Sequence, residues 1–352
     1  KNKVRLDLNY YNSDSYNQIL RADVSPTTGF KQKLLNAGHI NNHGFEAQLN
    51  FTPIQTASGF KWNILLNYST NVSQVISLDD EGFLNDYKLG SNGIISVLAS
   101  KGKRYGALFG TAFLRNTNGD IVVNADGTPA RDPNLKVLGY YTPKWIGGIT
   151  NSFSYKGFNL SVLIDTKQGG QIYSATNATG KYTGVLIETM QGRDEEHGGL
   201  AYYYQGNNKS GTPIPLTDSK ASAPGGEQVY HDGIIFNGVK SDGSQNTVIL
   251  PAERYYKATY SNSGINESSI FDASFIKLRE VKLSYTVPTN LVNKLHLQGV
   301  TLSLVGRNLA FLQKKAANID PETAFSTGNG QGLESLQLPT TSSYGFTLNI
   351  NF

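Results

Sequence analysis

SYGFTLNINF, residues 343–352, decides how the rest of the chain is read. In it Tyr344, Phe346, Leu348, Ile350 and Phe352 alternate with Gly345, Thr347, Asn349 and Asn351. Successive side chains of a strand point to opposite faces, so one face here is greasy and the other carries small polar groups. Such a strand needs two solvents, and a transmembrane barrel supplies lipid outside and water inside. The edge strand of a soluble sandwich alternates too. The terminal aromatic, Phe352, tips this segment toward a barrel ending, and the preceding sequence has to choose.

Working back from it, the same alternation recurs. Val4, Leu6, Leu8 and Tyr10 share one parity, as do Phe45, Ala47, Leu49 and Phe51 with Glu46, Gln48 and Asn50 opposite. Trp62, Ile64, Leu66 and Tyr68 follow, then Trp145, Gly147, Ile149, Phe153 and Tyr155, and after a Lys156–Gly157 turn Phe158, Leu160, Val162 and Ile164. With 271–287, 300–308 and the last strand the total is about eight, each near the ten residues that cross a tilted barrel wall. Trp62 and Trp145 suit the aromatic girdles at the two membrane interfaces.

Connection lengths alternate as well. Short links fall at 52–59, 156–157 and 288–298, and long ones at 17–42, 73–143, 169–270 and 309–340. Short turns at one rim and long loops at the other are the asymmetry of outer-membrane barrels, with the long loops extracellular. The stretch 170–269 is expected to be one such extracellular loop. The parity is expected to close through an even number of further strands within 73–143, with 105–114 and 120–124 as candidates, so the count could reach about ten.

Composition agrees with this class. At 38% hydrophobic and 16% charged, with a mean hydropathy of −0.33, the chain is too polar for a helical membrane protein, and no run of about 18 apolar residues exists. Zero cysteines exclude disulfides and thiolate metal sites. A net charge of +4 with scattered Lys and Arg does not suggest nucleic acid. The opening KNKVRLDLNYY is already strand-like and shows no leader pattern, so the expectation is either that processing has removed far more than a signal peptide or that this is the C-terminal portion of a longer polypeptide.

One strand changes parity. In ASFIKLREVKLSYTVP (273–288) Ile276 and Leu278 are apolar at even positions, but Val281, Leu283 and Tyr285 at odd ones. Either a β-bulge sits near Arg279 and Glu280, or the strand leaves the membrane there. This segment, followed by VTLSLVGRNLAFLQKKAANIDPE (300–322), resembles the C-terminal barrel segment of the SusC/RagA family of TonB-dependent outer-membrane transporters. GHINNHGFEAQLNFTP (38–53), KWNILLNYSTNVSQVISL (61–78) and YYTPKWIGGITNSFSYKGFNLSVLIDTKQGGQIY (140–173) fit the same family in order. The resemblance implies an all-β fold: residues 1–352 as the C-terminal portion of a transmembrane antiparallel β-barrel of about 22 strands, its lumen plugged by a separate domain. It further implies import of a bulky nutrient, an oligosaccharide or an oligopeptide, with a SusD-like surface lipoprotein and the TonB complex as partners in Bacteroidota. The plug and the TonB-binding box have no counterpart here. A self-contained small outer-membrane barrel with a structural or adhesive role, and a soluble β-sandwich enzyme, are the alternatives from other classes.

Candidate sites are few. Tyr202, Tyr203 and Tyr204 stand in the longest loop, where consecutive rings are not expected in an alternating strand; they are expected either to contact ligand or lid, or to pack the loop together. Phe352 is the candidate signal for the barrel-assembly machinery, with the lipid bilayer around the wall. Asn116, Asn118 and Asp120 have calcium-loop spacing, yet Ile121 stands where the loop wants Gly and no Glu follows, so a hairpin at Asn118–Gly119 is the expectation. His39 and His43, close together on a loop, make no zinc pair. Asp194, Glu195 and Glu196 beside Arg193 read as a solvated turn. No catalytic residue, metal or cofactor is expected.

Overall fold

The computed structural model describes residues 3–23, 32–79, 84–93, 95–260, 264–323, 326 and 328–352. Eight strands form one antiparallel sheet in chain order: β1 (Val4–Asp23), β2 (Gln32–Gln55), β3 (Lys61–Ser77), β4 (Trp145–Tyr155), β5 (Phe158–Gln168), β6 (Phe275–Thr286), β7 (Gly299–Lys314) and β8 (Ser343–Asn351). No described helix is long and apolar enough to cross a membrane.

Directly paired residues share a face, so the register tests the two-solvent reading. Leu6, Leu49, Leu66, Ile149 and Ile164 form one continuous row across β1 to β5. Leu160, Leu283, Leu304 and Phe346 form another across β5 to β8. These side chains are not core: Leu6 is 57% exposed, Leu304 55% and Phe346 74%. Apolar rows of this extent mark a lipid-facing surface. The other face carries Gln48, Asn67, Ser152, Ser161, Ser284 and Thr347.

Aromatic side chains bound the apolar band. Toward the long connections lie Tyr10, Phe45, Tyr68 and Trp145, with Tyr68 and Trp145 in ring contact at 5.5 Å. Beyond them the same face of β1 and β2 turns to Asn12, Asp14, Asn41 and His43. Toward the short turns, Trp62 packs on Phe153 at 5.8 Å and Phe158 on Tyr285 at 4.5 Å. The tryptophans therefore lie at opposite ends of the band.

The short links are short for stated reasons. Lys156 (φ 44°) and Gly157 (φ 87°) both adopt positive φ, the requirement of a two-residue type I′ hairpin, and a Cβ on Gly157 would meet Thr286 O at 2.7 Å. After β2, Thr56 closes the next turn on Phe60 through both backbone and hydroxyl.

Several sequence expectations need correction. The 17–42 connection is mostly strand, because β1 and β2 stay paired as far as Asp23–Gln32; residues 24–31 lie outside the described residues. The 73–143 connection adds no strand to the wall, since β3 pairs directly with β4. Its strands Asp86–Asn92, Ile95–Ser100, Ala107–Gly110 and Lys136–Tyr140 form a separate four-stranded sheet, and 120–124 makes only isolated bridges. Eight strands already place every long connection at one end and every short one at the other. The 170–269 stretch is structured: helices α1 (Ala175–Thr183) and α2 (Ala252–Thr259), and a small sheet of Leu200–Tyr203, Ile214–Pro215, Val229–Ile235 and Ile249–Pro251. Residues 261–263 of it lie outside the described residues.

These connections build a cap at one end of the wall, and the buried core sits there. Ile95, Val97 and Leu108 from the first connection, Tyr173 and Ala178 from the second, and Leu333 from the third pack into one cluster. Gln171–Ser174 joins the cap by pairing with both Ile270–Asp272 and Leu333–Glu334.

Candidate functional site

The polar face of the wall is concave. Side chains of Asn9, Glu46, Asn67, Ile146, Asp165, Lys167 and Glu322 line a hollow of about 730 Å³ on it. Carboxylates, amides and the Lys167 ammonium stand there among apolar side chains such as Leu163 and Phe275, a mixed surface that can both exchange hydrogen bonds and pack against a solute.

The parity switch in β6 is resolved as a bulge. Register slips between Leu278 and Glu280 against both β5 and β7. With the extra residue absorbed there, Leu278 pairs with Ile164 and Val281 with Val162 on the apolar face, while Lys277 and Glu280 pair with Asp165 and Leu163 on the polar one. The bulge thereby concentrates charge at one height on the polar face.

Arg279, the bulged residue, donates to Asp165 Oδ2 at 2.8 Å, to Glu322 Oε1 at 2.5 Å and to Asn308 Oδ1 at 2.8 Å. Lys277, 1% exposed, donates to Glu322 Oε2 at 2.6 Å and Thr340 Oγ1 at 2.9 Å, and its ammonium lies 4.4 Å from the Phe311 ring centroid. Thr340 in turn donates to Asp320 Oδ2 at 2.5 Å. Removing one partner from such a buried pair strands the other charge at a cost of about 3–5 kcal/mol. Glu322 and Asp320 belong to the connection after β7, so this cluster seats that connection against the polar face. Burial works against a charged Glu322, but the bonds from Arg279 and Lys277 outweigh it and hold the carboxyl below its usual range. Asp320 is lowered in the same way, burial being outweighed by Thr340, the Glu322 backbone N–H and Lys277. Sequence reasoning did not single out this cluster; its signals were the parity switch at 279–280 and the DPE tripeptide at 320–322.

The tyrosines fall in the cap. Tyr202 and Tyr203 lie in a short strand after all, because Leu200–Tyr203 is stitched into the small sheet. Tyr202 is 2% and Tyr204 7% exposed; Tyr202 stacks on Tyr230 at 5.4 Å and meets Tyr204 edge-on at 5.5 Å. The Tyr202 hydroxyl donates to Asp232 at 2.9 Å, and burial together with that carboxylate pushes its pKa upward. Tyr203 is half-buried. Phe352 follows β8 and is 83% exposed.

The remaining candidates resolve locally. Asn116 Oδ1 accepts from the backbone N–H of Asn118 and of Asp120, both at 2.9 Å, closing the hairpin expected at Asn118–Gly119. His39 and His43 lie in β2 rather than on a loop, His39 2.7 Å from Asp14 and His43 2.9 Å from Asn41. Asp194 caps the 193–199 turn by accepting from the His197 backbone at 2.8 Å. Among the described residues, no group of three or more His, Asp or Glu could hold a metal ion.

No family model matches the sequence. Two receptors of Formosa agariphila are similar along the whole chain. TonB-dependent receptor P26 is 23% identical over 380 residues, covering 99% of this chain and 33% of the receptor. TonB-dependent receptor P3 is 21% identical, covering 100% and 32%. The chain thus spans about a third of the length of the curated relatives it matches. Among solved structures, the RagAB peptide transporter superposes with a TM-score of 0.62 at 17% identity, and the RagAB peptide importer in its open-open state with 0.63 at 17%; each match covers 100% of this chain, and 34% and 33% of the other. Similar from end to end to TonB-dependent receptors, and folded as about a third of a RagAB chain is, the protein bears out its resemblance to the SusC/RagA transporters and has the architecture of a transmembrane β-barrel wall.

Proposed function

We propose that residues 1–352 form part of the wall and outward cap of a plugged outer-membrane barrel that imports a bulky nutrient, an oligopeptide or an oligosaccharide, under TonB control. The observation that carries this reading is the wall itself: an eight-stranded sheet, apolar on one face and concave and polar on the other, whose outer strands β1 and β8 do not pair with each other among the described residues. Such a sheet needs further strands to enclose a lumen, which favours a large barrel over a small self-contained one. In this reading the cap, including 170–269, faces outside the cell, where a SusD-like lipoprotein closes over it. Tyr202 and Tyr204 hold the cap together, and Tyr203 is the ring of the three with surface to offer a lid or ligand.

RagAB is named a peptide transporter, so oligopeptides are the first ligands to try. The decisive experiment follows uptake of labelled oligopeptides and size-matched oligosaccharides by cells carrying the full-length protein, with and without a working TonB complex. Uptake of one class that disappears without TonB is expected. TonB-independent uptake, or entry of neither class, would overturn the reading.

A further inference from the structure

Residues 315–323 touch both bodies of the molecule. At their far end Glu322 is clamped by Arg279 and Lys277 on the wall, and Glu322 is one of the residues lining the hollow of the polar face. Nearer β7, the Asn177 side chain in the first turn of α1 donates to Ala317 O at 2.9 Å. Asn318 Nδ2 donates back to Asn177 Oδ1 at 2.9 Å and to Glu188 Oε1 at 2.7 Å. Asn177 is itself fully buried, and it donates from backbone and side chain to Ser174 Oγ, the helix N-cap, both at 3.0 Å. Ala316, just before the cap fastening, and Ile319, between the two fastenings, pack with Ile172 and Ala273. Asn318 holds φ at 61°, a left-handed conformation that asparagine tolerates better than most residues. The segment is therefore short, held at two points by charge-assisted or buried hydrogen bonds, and bent at the cap fastening.

We propose that residues 315–323 are a coupling tie, through which a change of charge at Glu322 on the polar face loosens or tightens helix α1 in the cap. The alternative is that wall and cap merely share a boundary, each stable without the other. A tie behaves differently because its two ends share one free energy. Releasing the wall end must weaken the cap end, and the reverse, by the same factor. In the transporter proposed above, it would carry the state of the lumen to the outward surface. The coupling itself does not depend on transport, so the test can fail or succeed independently of that reading.

The experiment is hydrogen exchange on the full-length protein in detergent. Glu322→Gln removes the charge that Arg279 and Lys277 hold, at a position whose side-chain hydrogen bonds go to β6 and not to α1. Exchange of the 175–183 amides is expected to rise at least about threefold, with the 145–168 amides of the wall unchanged. Asn318→Ala, at the cap end, should reciprocally speed exchange of the Glu322 amide, which is bonded to Asp320 Oδ1 at 2.9 Å. The double variant should show less than the product of the two single effects. Should Glu322→Gln fail to fold, Glu322→Asp keeps the charge but shortens its reach, and is expected to act in the same direction. Exchange that rises only within 315–323, or single effects that multiply without interaction, would overturn the proposal.

Discussion

Asn151 is a polar residue on the apolar face of β4, and its place is explained by one bond: the Trp62 indole N–H donates to Asn151 Oδ1 at 3.1 Å. In hydrocarbon an unmet acceptor has no water to turn to. Trp62→Phe should therefore cost about 1–3 kcal/mol in denaturant unfolding of the full-length protein in vesicles, and adding Asn151→Leu should recover most of it, since neither polar partner then remains. An undiminished loss in the double variant would mean the bond is not the cause. The inside-out assignment is tested at the last strand. Leu348 pairs with Leu302 on the apolar face and Asn349 with Thr301 on the polar one. Leu348→Arg is expected to destabilise by about 2–4 kcal/mol near the midplane, whereas Asn349→Arg should be mild. Equal losses in the same unfolding assay would contradict the assignment.

At the scale of elements, the bulge in β6 absorbs one residue so that both halves of the strand face the same way. Deleting Arg279 would remove the bulge yet leave Leu278 opposite Ile164, Glu280 opposite Leu163 and Val281 opposite Val162, so both halves of the strand would keep their apolar residues toward lipid. Arg279→Ala removes ion pairs but keeps the register. Both variants should therefore retain heat-modifiable mobility on gels; its loss in the deletion alone would show that the strand needs the bulge itself and not only the alternation it preserves. The connection after β7 should also respond to acid. Glu322 and Asp320 are both held below the ordinary carboxylate range in the folded protein. A group lowered on folding adds stability above its unfolded pKa, and that contribution is lost as pH falls through the lowered value. Amide exchange within 315–323, corrected for its intrinsic pH dependence, should thus report constant protection from pH 7 to about 5 and weakening below about 4. Glu322→Gln should remove part of that acid response.

Over the whole molecule, the sheet's two free edges lead to a direct expectation. Residues 1–352 expressed alone should give no heat-modifiable monomer in detergent, because among the described residues no strand pairs with the outer edge of β1 or of β8. A compact, heat-modifiable monomer would instead support a self-contained barrel. The wall was legible because alternation is a local property: a strand two residues long in period shows its two solvents within ten residues, and a Lys-Gly pair between two such strands shows its hairpin. Even the bulge was visible, as a change of parity at Arg279 and Glu280. The cap was not. Its strands run two to seven residues and several pair across long gaps, as Gln171–Ser174 does with Leu333–Glu334, so they carry little period; of them Ala107–Gly110 alone falls inside a stretch expected as strand, 105–114, and it joins the cap instead of the wall. Likewise Asp165, Arg279 and Glu322 are ordinary polar residues until sheet pairing and the turn after β7 bring together positions 114 and 43 residues apart. Sequence alone determined which faces meet lipid and water, since that depends on neighbours along the strand. Only the tertiary structure decided that eight strands form the wall, that the long connections fold into one cap, and that a cluster of charges fastens the two, since each depends on residues that meet only after the chain has folded.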